Sequence, residues 1–317
     1  MAGTLVKTSY TSLPVAIPED FLAPLPDPSV ITTQKIDFQN TTLPEYKGLY
    51  AVVLDNILSK EECDGLIRMC EMSAGGHQEG TEVPKNGWKP ALVNAGDGYE
   101  YMVTDYRNSD RIIWDEKVVA NRLWERVLQG EGIKDYLSVL DGEAYFPVLG
   151  YTRPRSDGQR WVVTKQGVNE RLRFLKYGAG QYFRGALNPC YPSESGSLTP
   201  SKAHCDGAYI TPDGKQRTFY TLHLYLNDSE QALGISQLSK DQTSAASKVT
   251  AAGEPLRGGA TTFHSLDMDR RLDVDPKAGR ILIFQHKRLL HSGDDVISGI
   301  KYTMRSDLLY ELDGGGD

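Results

Sequence analysis

A chain of 317 residues is long enough for one large catalytic domain with a substantial core, or for two small ones. A hydrophobic fraction of 39% and a charged fraction of 24% are those of an ordinary soluble globular protein. A net charge of -7 with no dense Lys/Arg run argues against nucleic acid as a partner. The first residues are polar and proline-punctuated, and no apolar run approaches the ~18 residues of a membrane span, so a cytoplasmic protein off the membrane is expected. Cys63, Cys70, Cys190 and Cys205 form no CxxC pair, which fits reduced thiols.

Residues 1–40 carry Pro14, Pro18, Pro24, Pro26 and Pro28, too many for a helix or a central strand, and are read as an extended arm. The remainder, 41–317, is read as a single domain, with helical support and a lid region over 41–160 and a strand-rich core over 161–313. Regular structure starts near Leu49, where LYAVVLDN reads as a buried strand. Ser59 and Glu62 then form a capping box. Cys63, Leu66, Ile67 and Cys70 follow at helical spacing, predicting a helix over about 60–72 with both cysteines in the core. A second helix follows Asp115, carried by Ala120, Leu123, Trp124, Val127 and Leu128. Between the helices, 73–110 is rich in Gly, Asn and Asp, and a loop that long inside a domain is functional or mobile.

From about residue 160 the pattern becomes short strands between turn signals, at 171–177, 218–226, 258–263, 279–284 and 301–310. No helical pattern intervenes to cross between parallel strands. The predicted fold is therefore mainly β with flanking helices (α+β), its core an antiparallel sandwich or barrel of jelly-roll type.

His204-Cys205-Asp206 lies in an extended stretch, where residues two apart face the same way. With one more distant histidine, such a pair makes the two-imidazole, one-carboxylate set of non-haem Fe(II) oxygenases. His223, His264, His286 and His291 compete for the third place. Context favours His291, which follows the strand GRILIF and precedes Ser292-Gly293, with Lys301 ten residues on. No P-loop, GxSxG elbow or complete GxGxxG is present.

The ordered set then gains a family likeness. Tyr177-Gly178-Ala179-Gly180-Gln181-Tyr182-Phe183, His204-x-Asp206, Thr221 to Asp228, Gly258-Gly259-x-Thr261-x-Phe263, Gly279 to Phe284 and His291-x-Gly293 to Lys301 resemble the prolyl 4-hydroxylase branch of the 2-oxoglutarate/Fe(II) dioxygenases. The likeness covers about residues 170–310, with a looser echo over 49–72. It implies a double-stranded β-helix (jelly-roll, cupin-like) core, with iron held by His204, Asp206 and His291. It also implies that Lys301 pairs with the distal carboxylate of 2-oxoglutarate, that Tyr177 hydrogen-bonds this cosubstrate, and that Thr221 lines the same pocket. Fe(II), 2-oxoglutarate and O2 are the cofactor and cosubstrates so implied. The reaction would be oxidative decarboxylation coupled to C–H oxidation, with hydroxylation the default and desaturation or cyclisation as variants. Related halogenases carry Gly or Ala at the carboxylate position, where this chain has Asp206.

Lys301, Thr303 and Arg305 share one strand face. If Lys301 takes 2-oxoglutarate, Arg305 is left to meet an anionic group of the substrate, to replace Lys301 as anchor, or to pair with a structural carboxylate. Two polar segments, 185–203 and 229–257, depart from the family pattern and read either as lids or as surface insertions. With Arg305 they favour a small-molecule substrate, such as an amino acid or a specialised metabolite. The alternative is a peptidyl (prolyl-type) hydroxylase whose 73–110 segment clamps a peptide. A more remote alternative is a jelly-roll protein that holds Zn(II) and catalyses nothing. The oligomeric state stays open.

Overall fold

The computed structural model describes residues 5–75, 87–96, 99–102, 107–149, 159–183, 203–235 and 253–313. In chain order its main strands are β1 Thr32–Lys35, β2 Ala51–Asp55, β3 Arg107–Asn108, β4 Asp110–Asp115, β5 Trp161–Val168, β6 Arg171–Tyr177 and β7 Tyr182–Phe183. There follow β8 Gln216–Tyr225, β9 Thr261–His264, β10 Arg271–Val274, β11 Ile281–Gln285, β12 His291–Gly293 and β13 Lys301–Leu312. The two long helices are α1 Lys60–Ser73 and α2 Lys117–Val127.

Two antiparallel sheets result. The larger runs β1-β2-β11-β8-β13-β6-β4, with β5 paired to the far end of β13. The smaller runs β10-β9-β12-β7-β3. They face each other: the Tyr225 hydroxyl of β8 donates to Thr261 Oγ1 of β9 at 2.6 Å, and Phe263 of β9 meets Phe284 of β11 edge to face at 5.6 Å. This is the jelly-roll core that the strand pattern predicted. None of the described helices is long and apolar enough to cross a membrane.

The strand read near Leu49 and the five read after residue 160 recur, with shifts at their ends. Gly258 and Gly259 are not in the strand that contains Thr261; both have positive φ and turn the chain into it. β1, by contrast, lay inside the stretch read as an arm. Its sequence, TTQK, is polar because it is an edge strand with one solvent-facing side, and so carries no hydrophobic signature. Residues before it lie across α2: Arg122 donates to the carbonyls of Pro18 and Phe21, and Gln129 exchanges two hydrogen bonds with Leu25.

Both helices bury the faces that their periodicity indicated. In α1, Cys63, Leu66, Met69 and Cys70 are buried, and burial pushes the Cys63 thiol up to about 12 and Cys70 upward as well. Cys190 lies outside the described residues. In α2, Ala120, Leu123, Trp124 and Val127 are buried. Trp124 packs on β5 where Gly167, with φ +68, leaves no room for a Cβ, which would sit 2.2 Å from the indole.

The capping box forms, with Glu62 N–H donating to Ser59 Oγ at 3.2 Å and Ser59 N–H donating to Glu62 Oε2 at 2.8 Å. Glu62 also takes a fork from Arg126 of α2, at 2.7 and 2.8 Å, and the same guanidinium donates to the carbonyls of Ile57 and Ala23. Arg126 therefore ties together both helices, the turn before α1 and the arm. Arg126→Met is expected to lower unfolding stability by about 3 kcal/mol in a denaturant titration, because it strands buried acceptors and one carboxylate. A loss below about 0.5 kcal/mol would show the contact to be incidental.

Candidate metal centre

His204 and His291 stand 87 positions apart, yet each donates its backbone N–H to the other's carbonyl at 2.8 Å. Two residues that exchange both hydrogen bonds in an antiparallel bridge project their side chains to the same side. The two rings accordingly lie 4.5 Å apart, centroid to centroid. Asp206, two extended residues past His204, returns to that side. Its Oδ1 lies 3.6 Å from His204 Nε2 and its Oδ2 lies 3.5 Å from His291 Nε2. All three residues are buried, and their donor atoms lie within 4.8 Å of one another. Among the described residues they are the one such group of His, Cys, Asp and Glu that could hold a metal ion.

Hydrogen bonding indicates what belongs between them. His291 Nδ1 lies 3.0 Å from the Leu289 carbonyl, which can only accept, so Nδ1 carries the proton and Nε2 presents its lone pair. Burial pushes the His291 pKa down to about 3, so the ring is neutral. A lone pair thus faces a carboxylate at 3.5 Å inside a buried site, which a cation between them would resolve. Two imidazole nitrogens and one carboxylate oxygen suit Fe(II). The residues present fit that ion.

Asp206 is fixed from two further sides. Thr221 Oγ1 donates to its Oδ2 at 2.6 Å, and Arg305 Nη2 lies 2.8 Å from its Oδ1. Burial alone would raise this carboxyl, but Arg305 foremost holds it well below the usual carboxylate range. Phe183 packs edge to face on His204 at 4.5 Å, and Phe284 on His291 at 4.6 Å, so neither ring turns freely.

Lys301 opens β13 and pairs in register with Tyr177 at the end of β6. It is only 2% exposed, and its ammonium lies over the rings of Tyr177 and Tyr225 at 5.2 and 5.8 Å. Among the described residues no carboxylate lies within ion-pair distance of it. Burial lowers its pKa to about 8. Gly259 lies directly over its stem: a Cβ there would come within 2.9 Å of Lys301 Cδ, so the glycine makes room for the lysine. The Tyr177 hydroxyl is buried, which raises its pKa, while Arg107 and Ser109 pull it back.

A cleft open to solvent on one side lies between the sheets. Tyr177, Asp206, Thr221, His291, Lys301 and Arg305 line it, and His204 stands behind Phe183. The structure thus brings all seven candidate residues to one place. Arg305 Nη2 lies 2.8 Å from Asp206 Oδ1 and 3.7 Å from Asp307 Oδ1. The rival histidines are otherwise engaged or placed. His264 Nε2 lies 2.7 Å from Ser292 Oγ, and His286 Nε2 lies 3.4 Å from Asp307. His223 lines the cleft two residues past Thr221, and burial pushes its pKa well below the usual imidazole value. Sequence reasoning passed over His223 as a cleft residue, although the period of two from Thr221 marked it, and passed over Arg107, which lies in the long 73–110 segment. Of that segment, 76–86, 97–98 and 103–106 lie outside the described residues, as do 184–202 and 236–252 of the two insertions.

No protein-family model matches the sequence. No curated protein matches it either. Among solved structures the chain is similar to a viral collagen prolyl hydroxylase of Paramecium Bursaria Chlorella virus-1, as its 2-oxoglutarate complex, with 16% identity and a TM-score of 0.38, over 82% of this chain and 96% of that one. It is similar to a prolyl-4-hydroxylase of Pseudomonas putida, with 11% identity and a TM-score of 0.41, over 86% of this chain and 99% of that one. A third is a prolyl hydroxylase of Trichoplax adhaerens in complex with a peptide fragment of the hypoxia inducible factor, with 13% identity and a TM-score of 0.39, over 83% of each chain. The roles of individual side chains rest on the geometry described above.

Proposed function

We propose that the chain is a 2-oxoglutarate- and Fe(II)-dependent oxygenase, with His204, Asp206 and His291 as the iron ligands. One observation carries this reading. A buried His–Asp–His cluster shares its cleft with a buried ammonium, Lys301, whose nearest influence among the described carboxylates, Asp294, acts from beyond ion-pair distance. A structural Zn(II) site has no use for such a lysine, whereas a dicarboxylate cosubstrate supplies the missing anion.

Bound there, Fe(II) would supply the redox centre at which O2, 2-oxoglutarate and a substrate C–H bond become succinate, CO2 and a hydroxylated product. The chain's own part is placement. Lys301 holds the distal carboxylate, Tyr177 closes the wall beside it, and Thr221 and Arg305 fix the orientation of Asp206. The facing sheets exclude water from all but the open side of the cleft.

The preference for a small-molecule substrate came largely from the two insertions, and most of both lies outside the described residues. Peptidyl hydroxylation therefore stands level with it. Anaerobic titration of the Fe(II)-loaded protein with 2-oxoglutarate is expected to show one bound equivalent; no binding at all would favour the Zn(II)-holding alternative. Succinate release with free amino acids, set beside release with proline-rich peptides, separates the two substrate classes.

A further inference from the structure

Arg305, itself partly exposed, sits within a chain of alternating charge whose two carboxylates are buried and which ends on the candidate metal ligand. On β13 the period of two continues past Arg305 to Asp307, and Arg305 pairs in register with Arg173 of β6. Two guanidinium groups directly opposite each other repel unless something lies between them. Asp307 does so: its Oδ2 lies 3.3 Å from Arg173 Nη1 and its Oδ1 lies 3.7 Å from Arg305 Nη2. His286 adds a third contact to Oδ1 at 3.4 Å. Arg305 thus has a buried carboxylate 3.7 Å behind it, beyond hydrogen-bond distance, while its Nη2 meets Asp206 Oδ1 at 2.8 Å in front.

The consequence falls on Asp206. Its Oδ1 is ion-paired with Arg305 and its Oδ2 accepts from Thr221, and each oxygen still faces one imidazole nitrogen. A buried carboxylate without partners is free to turn away. The guanidinium on one oxygen and the threonine hydroxyl on the other keep this one facing both imidazoles. We propose that Arg305 is a positioning residue for the metal site, the resident counter-ion that keeps Asp206 aimed at the two histidines, with Asp307 and Arg173 as its backing. This deepens the oxygenase reading and rests on it, but assigns Arg305 to the metal site and not to an anionic group of the substrate.

Mn(II) serves as a redox-silent probe of the site, its affinity measured by titration calorimetry alongside the melting temperature of the metal-free protein. Arg305→Met is expected to weaken Mn(II) binding about 10- to 100-fold, the usual loss when a ligand's hydrogen-bond partner is removed. Arg305→Lys should recover part of that loss, since an ammonium can donate to Oδ1 but cannot span to Asp307 as well. Asp307→Asn, which loosens Arg305 only from behind, should cost a few-fold. Arg171→Met breaks a half-exposed pair with Asp115 on the same strand as Arg173 and should change nothing. A purely structural role would lower the melting temperature and leave the Mn(II) affinity where it was. Unchanged affinity in Arg305→Met, with Asp206→Ala abolishing binding, overturns this inference alone. A wild-type protein that binds no Mn(II) overturns the oxygenase reading with it. If Arg305→Met does not fold, wild-type affinity in both Arg305→Lys and Asp307→Asn is the overturning result.

Discussion

Replacing His291 by alanine is expected to lower succinate formation from 2-oxoglutarate by at least about 10³-fold, because the centre would retain only two of its three donors. The fold should tolerate the change. What joins His291 to His204 is a pair of backbone hydrogen bonds, and an alanine keeps both. The imidazole itself contributes an edge contact to Phe284 and the hydrogen bond to Leu289. Its loss leaves a small void and one unmet carbonyl, worth about 1–3 kcal/mol and far short of unfolding. Far-ultraviolet circular dichroism should therefore stay native while bound iron, measured after loading and desalting, falls to background. His264→Ala is the matched control, since that ring lies on the neighbouring strand β9 and bonds Ser292. Equal losses in the two variants would mean that His291 matters for folding and not for metal.

How much of this could be read in advance depends on how local each feature is. Helix α1 was legible nearly to the residue, because a capping box and a period of 3.6 are properties of a dozen consecutive residues. His204 and Asp206 were legible as a pair for the same reason, by the period of two. What joins them to His291 is a bridge between distant segments, and no periodicity encodes a partner 87 positions away; there the context of His291, after GRILIF and ten residues before Lys301, and then the family likeness carried the choice. The face of β13 was half read. Lys301, Thr303 and Arg305 were placed on one face together, but Asp307, next in the same alternation, was passed over, and with it the buried carboxylate 3.7 Å from Arg305. Gly258 and Gly259 resembled a strand entry. Both have positive φ, and the room that Gly259 leaves for the Lys301 stem becomes visible only once Lys301 is packed against it.

Lys301→Met is expected to raise the dissociation constant for 2-oxoglutarate by about 10²-fold or more, the usual cost of removing one partner from a buried charge pair. The variant should at the same time be no less stable without ligand than the wild type, and the reason lies in the titration of the lysine. Burial lowers the Lys301 pKa to about 8, from an ordinary value of 10.5. Below about pH 8 the side chain is charged in both folded and unfolded states, and folding bears the full cost of burying it. As the pH rises between those two values the folded protein sheds the proton first, and this cost fades. Methionine removes it at every pH. Binding of the cosubstrate runs the opposite way, because the distal carboxylate requires the ammonium. Affinity for 2-oxoglutarate should hold steady up to about pH 8 and then weaken toward tenfold per pH unit, as the free protein must first regain its proton. Lys301→Arg should flatten that decline, since a guanidinium does not titrate in this range. Lys301→Met should bind weakly with no such break. Wild-type affinity in Lys301→Met would remove the lysine from the cosubstrate pocket, and with it the feature that separates an oxygenase from a protein that merely holds a metal.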